Sequence, residues 1–167
     1  MVFLRNTGNA MKHLLLFCLL YLSSASMASA RSENDVAAVL DKLHGAASSA
    51  SFLDYFSTFA PDGVFIGTDA SETWSVEEFK AYAKPYFDQG RGWTYTPAER
   101  HIYFSQSGDV AWFDEILDSQ SYGVTRGTGV LERRDGKWLV TQYHLTIPLP
   151  NELVDDVVKQ IKAADRK

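Results

Sequence analysis

The sequence predicts an α+β domain, with helices first and then a run of antiparallel strands over one core. Two observations carry this. Between about residues 32 and 87, apolar residues recur at helical spacing in three stretches. From Trp93 onward the pattern switches to period two, punctuated by Ser107-Gly108-Asp109 and Asp135-Gly136 as hairpin turns. Elements in that order place the helices on one face of a curved sheet.

The elements follow in order. Val36, Val39, Leu40 and Leu43 give a first helix from about Ser32 to Leu43, with Ser32, Glu33 and Asp35 suited to its start. Phe52, Leu53, Phe56 and Phe59 give a second, from about Ala50 to Phe59, ended by a turn at Pro61-Asp62-Gly63. Val64-Phe65-Ile66 reads as a strand, with a short return near Thr73-Trp74. Ser75 and Glu78 form a capping box that opens a third helix. Its buried stripe is Phe79, Tyr82, Ala83, Tyr86 and Phe87; Pro85 should bend it, and Gly90 and Gly92 end it. Strands are predicted at about 93–105, 110–118, 124–134 and 137–147. An amphipathic helix closes the chain from Asn151 to about Ala163, acidic at its start and basic at its end, as the helix dipole favours.

The first thirty residues read differently. They hold no acidic residue, and Arg5 and Lys12 precede the apolar run Leu14 to Leu22 and the small-residue site Ala28-Ser29-Ala30. That order is a secretory signal peptide, so residues 1–30 are expected to be removed and 31–167 to form one domain, periplasmic or secreted. The apolar run is too short for a membrane span, which needs ~20 residues. Cleavage at Arg31 would remove two of 16 basic residues and none of 21 acidic ones, leaving 14 against 21. It would also remove Cys18, the chain's one cysteine, leaving the core to hold the domain without disulfides. An acidic surface argues against nucleic acid or an anionic membrane as the main partner.

Several motifs stand out in the second half: Gly67-Thr68-Asp69 with Glu72 and Trp74, Val110-Ala111-Trp112-Phe113, Gly127-Thr128-Gly129-Val130-Leu131, and Gln142 to Pro148. With the element order, they resemble the SnoaL-like branch of the nuclear transport factor 2 superfamily over roughly residues 33–162. The resemblance implies a cone-shaped curved sheet, three N-terminal helices on its concave face, a C-terminal helix and one enclosed pocket. It implies no reaction, because that cone hosts isomerases, dehydratases, cyclases and plain binding domains.

The Asp135-Gly136 turn permits two registers. A two-residue turn pairs Arg134 with Lys137. A turn with Gly136 as a bulge residue pairs Arg133 with Lys137. The resemblance favours the bulged turn, which keeps Trp138 inside. Trp138, Val140, Gln142 and His144 then share a face with Val130, Thr128 and Arg126. Adding Trp112 and Asp114 from the neighbouring strand gives a pocket with a carboxylate, a guanidinium and an imidazole. Trp74, Tyr82 and Tyr86 would close it from the helical side.

The candidate site is therefore Asp114 and His144 as acid–base groups, with Trp74, Tyr82, Tyr86, Trp112, Arg126, Thr128, Trp138 and Gln142 around the ligand. Plainer roles compete: a satisfied core histidine for His144, a structural ion pair for Asp114 and Arg126, a half-exposed strand position for His101. Asp69 and Glu72 would serve a turn, and His44 a helix end. Without a metal-binding His or Cys spacing, no metal or cofactor is expected. No phosphate-binding loop or G-x-S-x-G elbow occurs either, and the glycines at 127 and 129 would permit strand curvature. Three functions remain: binding of a small, largely apolar molecule; proton-transfer chemistry on one, as an isomerase, cyclase or dehydratase; or a structural dimer with a vestigial pocket. A homodimer through the outer sheet face, with Tyr103, Phe113 and Tyr143 in contact, is expected.

Overall fold

A computed structural model describes residues 33–164. The signal-peptide reading of residues 1–30 lies outside the described residues. The chain runs through α1 (33–48), α2 (Phe52–Phe56), β1 (Phe59–Ile66), β2 (Thr73–Ser75) and α3 (Val76–Phe87). It continues through β3 (Tyr95–Phe104), β4 (Val110–Ser119), β5 (Gly123–Arg134), β6 (Lys137–Thr146), a short 3-10 turn (Asn151–Leu153) and α4 (Val154–Ala164). The six strands form one sheet in the order β2-β1-β6-β5-β4-β3. Pairing is antiparallel except between β1 and β6, which are parallel. The predicted α+β class holds, with a curved sheet and its helices on one face.

The local reasons are mostly those the sequence gives. Ser75 accepts from the Glu78 backbone N–H at 3.3 Å, and the Glu78 carboxylate accepts from the Ser75 N–H at 2.8 Å, so α3 starts where its capping box stands. Pro85 lies in the last turn of α3. Val64, Phe65 and Ile66 pair with Ser75, Trp74 and Thr73.

Two boundaries move. The helix α1 runs past Leu43 to residue 48, because Ala46 and Ala47 continue its buried stripe. The helix α2 is one short turn, because the chain after it is claimed by the sheet: Val140 N–H donates to Thr58 O at 2.8 Å, and Phe59 pairs with Val140. Pro61-Asp62-Gly63, read as a turn, is instead an irregular opening of β1, where the register shifts between Phe59 and Val64.

The core lies between the concave sheet face and α1, α2 and α3. Val36, Leu40 and Leu43 of α1 meet Leu117, Leu131 and Val140 of the sheet, all buried. Aromatic rings fill the other end, with Phe65 stacked on Phe79 at 3.9 Å between centroids and on Tyr143 at 5.7 Å. The helix α4 is amphipathic as predicted, yet none of its residues is buried.

The register of the last hairpin departs from the bulged reading. Arg134 pairs with Lys137 across a two-residue turn, with φ of 51° at Asp135 and 78° at Gly136. Positive φ at both central residues is the type I′ geometry, whose twist matches the flanking strands. The irregularity sits further along: Leu131 pairs with Val140 but Val130 with Gln142, leaving Thr141 as the extra residue. Trp138 and Val140 therefore point into the core, as do Tyr143 and Leu145 beyond the bulge. Gln142 and His144 share the opposite, outer face with Val130 and Thr128.

Candidate functional site

A cavity of about 120 Å³ opens between the concave sheet face and helices α1 and α3. Its walls are mainly rings. Phe65, Phe79 and Tyr143 form the inner wall, Trp93 and Tyr95 one side, and Trp74, Tyr82 and Tyr122 the mouth. Trp74 stacks between Phe79 and Tyr82, at 5.6 and 4.9 Å. Tyr82 and Tyr122 are half-exposed, which marks the open side. Burial, then the nearby Tyr86 and Glu72, raises the Tyr82 pKa. Burial, then Tyr122 and Tyr82, pushes that of Tyr95 up to about 12. These hydroxyls therefore stay protonated at neutral pH and can donate to a bound molecule.

The polar floor is built around Glu115. It lies on the inner face of β4 between Phe113 and Leu117, and its side chain is 0% exposed. Arg100, its partner across β3, donates from Nε to Glu115 Oε2 at 2.8 Å. The same guanidinium donates from Nη1 to Asp41 Oδ1 of α1 at 2.8 Å, tying helix to sheet. His44 of α1 donates from Nε2 to Glu115 Oε1 at 2.6 Å, and the Tyr143 hydroxyl donates to the same oxygen at 3.1 Å. Burial raises the Glu115 pKa, but hydrogen bonds and charges from His44 and Arg100 outweigh it, leaving the carboxyl below its usual value. Burial and the Glu115 charge push Tyr143 well above the usual phenol range.

The strand β5 makes room for this cluster. Gly127 stands opposite Glu115, where a Cβ would lie 2.9 Å from Glu115 Oε1 and overlap the Tyr143 hydroxyl. The glycine predicted to permit strand curvature therefore admits a buried carboxylate and its donor.

His44 and Tyr143 line the cavity in front of Glu115. With Nε2–H donated to Glu115, a neutral His44 ring carries its lone pair on Nδ1. That atom has no hydrogen-bond partner among the described residues. The arrangement is an imidazole oriented by a buried carboxylate, a pairing able to hold a ligand's polar end or to move a proton.

Of the site residues predicted from sequence, Trp74 and Tyr82 line this cavity. Tyr86 flanks it, 5.6 Å from Tyr82 and 6.4 Å from Trp93, with its side chain partly exposed. Trp138 points inward but packs beside Phe104. The others do come together, though on the outer face. Asp114, Thr128 and His144 form one cross-strand row, with His101 beside Asp114. His101 Nδ1 lies 3.1 Å from Asp114 Oδ1. Trp112 stacks on Tyr103 at 5.9 Å, while Arg126 and Gln142 are exposed. Phe113 and Tyr143, expected on the outer face for a dimer, are buried on the inner one.

Sequence reasoning missed Glu115 and His44. His44 lies four residues after Leu40 on the buried side of α1, a signal visible once the helix runs past Leu43. Among the described residues, no group of three or more His, Cys, Asp or Glu is placed to hold a metal. No helix there is long and apolar enough to cross a membrane.

Comparison with known proteins places this geometry. The profile of a family described as the SnoaL-like domain matches residues 36–150. No curated protein matches the chain. Among solved structures, an NTF2-like protein of unknown function from Pseudomonas putida KT2440 is similar at a TM-score of 0.62 and 17% identity, over 74% of this chain and 91% of that one. A candidate dehydratase of the NTF2-like family from Streptomyces avermitilis aligns at 0.59 and 13%, over 70% and 96%. A candidate ketosteroid isomerase from Shewanella frigidimarina NCIMB 400 aligns at 0.52 and 21%, over 64% and 90%. At such identities the likeness is one of fold.

Proposed function

The chain belongs to the SnoaL-like domain family, and on that premise we propose that it binds a small, largely apolar molecule in the cavity between its sheet and helices α1 and α3. The observation that carries this reading is the cavity itself: about 120 Å³ walled mainly by aromatic rings, with the tyrosine hydroxyls, Thr68, Glu72 and His44 as its polar points. An apolar cavity of about 150 Å³ holds benzene, so the enclosed part of the ligand is on the order of one six-membered ring. A pocket walled by aromatic side chains with placed polar groups is the common form of small-molecule site. Titration calorimetry with 2-phenylethanol tests it. Saturable binding is expected, weakened at least tenfold by Ala47→Leu, which fills the wall, and unaffected by Trp112→Leu on the outer face. Failure of every one-ring compound to bind would overturn it.

One observation favours a second reading, proton transfer on the bound molecule. His44 faces the cavity with Glu115 behind it. On this reading His44 Nδ1 takes the proton and Glu115 stabilises the imidazolium, in place of the roles the sequence suggests for Asp114 and His144. His44→Gln should then abolish turnover while ligand binding persists within a few-fold.

Export and assembly belong to the same proposal. Arg5, Lys12, the Leu-rich run and Ala28-Ser29-Ala30 support cleavage before Arg31; N-terminal sequencing of exported protein should begin there. The exposed Tyr103–Trp112 stack supports pairing of two copies through their outer faces. Light scattering at micromolar concentration should report twice the monomer mass.

A further inference from the structure

We propose that the ligand is a small organic cation, with its ring inside the cavity and its ammonium group at the mouth beside Glu72. This rests on the binding function proposed above and adds the charge of the ligand. Three observations lead to it. Among the described residues, no lysine or arginine lines the cavity; its carboxylate and its imidazole are Glu72 and His44. Any charge on His44 is balanced within the buried cluster behind it, where Glu115 and Asp41 together face His44 and Arg100. The free charge among the lining groups is therefore negative; Arg91, outside the lining, lies over the Tyr86 ring at 5.5 Å.

Glu72 is also built into its position. The loop between β1 and β2 turns back on itself, with Gly67 N–H donating to Glu72 O at 2.8 Å and Glu72 N–H to Asp69 O at 2.9 Å. The Asp69 N–H then holds the carboxylate through Oε2 at 3.2 Å. A Cβ on Gly67 would overlap that carboxylate, so the glycine is what lets it fold in over the strand end. Glu72 is half-buried, and among the described residues it has no ion pair and no hydrogen bond to Oε1. A partly desolvated carboxylate with one free oxygen, fixed by backbone, is a prepared partner for an ammonium donor.

The surrounding rings suit the same ligand. Trp74 and Tyr82 stack at 4.9 Å at the mouth, with Tyr122 close by. Aromatic faces carry negative quadrupole density and attract a desolvated cation. An organic acid would meet Glu72 directly and the buried Glu115 beyond it. The chain's net charge of −5 also raises the local concentration of cations.

The test compares three one-ring probes of matched length, 2-phenylethylammonium, 2-phenylethanol and phenylacetate, by calorimetry at pH 7 and low salt. The ammonium should bind at least tenfold more tightly than the alcohol, and phenylacetate most weakly. In Glu72→Gln the ammonium-to-alcohol ratio should fall to within about twofold. This ratio is internally controlled, because a misfolded variant would lose both ligands. Equal or tighter binding of the alcohol or the acid, or a ratio unchanged in Glu72→Gln, overturns the cation inference while leaving the binding function standing. Binding of none of the three overturns both.

Discussion

Asp114 and Glu115 are neighbours in β4, and each meets a histidine, yet they serve opposite faces of one sheet. Glu115 points inward, fully buried, with donors from His44, Tyr143 and Arg100. Asp114 points outward with His101 beside it, and both side chains are substantially in water. The outer row resembles a site by composition: carboxylate, imidazole, indole and guanidinium within a few strands. The inner cluster differs in desolvation. Water screens the outer pair, whereas the inner carboxylate must be satisfied by fixed donors, so its geometry is enforced. A functional reading of a sheet therefore turns on which face is dry.

The sharpest way to break this comparison is Glu115→Gln. It leaves Arg100 and His44 facing an amide and should cost about 3–5 kcal/mol, a fall in Tm on the order of 10–20 °C for a domain of this size. Differential scanning calorimetry would measure it; a shift under about 2 °C would show that Glu115 is not held as described. Gly127→Ala should act in the same direction more weakly. The added methyl displaces the Tyr143 hydroxyl from Glu115, at roughly 1–3 kcal/mol, and urea melts would show the lowered midpoint.

The two faces also differ in the sign of their pH dependence. Glu115 has a folded pKa below its usual 4.5. The unfolded state then binds more protons, so its stabilisation is present above about pH 4.5 and lost as the pH falls through the depressed value. His101 has a pKa raised above 6.5, chiefly by its hydrogen bond with Asp114. Its contribution is present below pH 6.5 and fades as the pH rises through the raised value; exposure and salt keep it shallow. Melts from pH 3 to 8 should show a steep acid limb that Glu115→Gln flattens, and a slight alkaline decline that His101→Gln removes. Smallest of all, Asp114→Asn and His144→Ala should each change stability by no more than about 0.5 kcal/mol.

Much of the fold was legible in the sequence. Ser75 and Glu78 mark the start of α3, and period two with the Gly108 and Gly136 turns marks β3 to β6. The orientation of the sheet was not. Phe113, Glu115 and Leu117 alternate with Trp112, Asp114 and Ile116, and the two sets are about equally apolar. The bulge at Thr141 decides the matter for β6, yet neither glycine nor proline announces it; packing of both Trp138 and Tyr143 into the core demands it. His44 was hidden because the apolar spacing ends the first helix at Leu43, whereas α1 runs on to residue 48. The helix α4 shows the same limit, since its periodicity gives the apolar face and nothing about what covers it.

The four tryptophans test the central claim, that the concave cavity and not the outer face takes the ligand. Trp74 and Trp93 line the cavity, Trp112 lies on the outer face, and Trp138 packs beside Phe104. Indole N–H resonances of the ¹⁵N-labelled protein can be followed as 2-phenylethanol is added. The structure predicts that Trp74 and Trp93 shift together to saturation while Trp112 and Trp138 stay in place. Movement of Trp112 with Trp74 and Trp93 unchanged would contradict the account and return the site to the outer row of Asp114, Thr128 and His144.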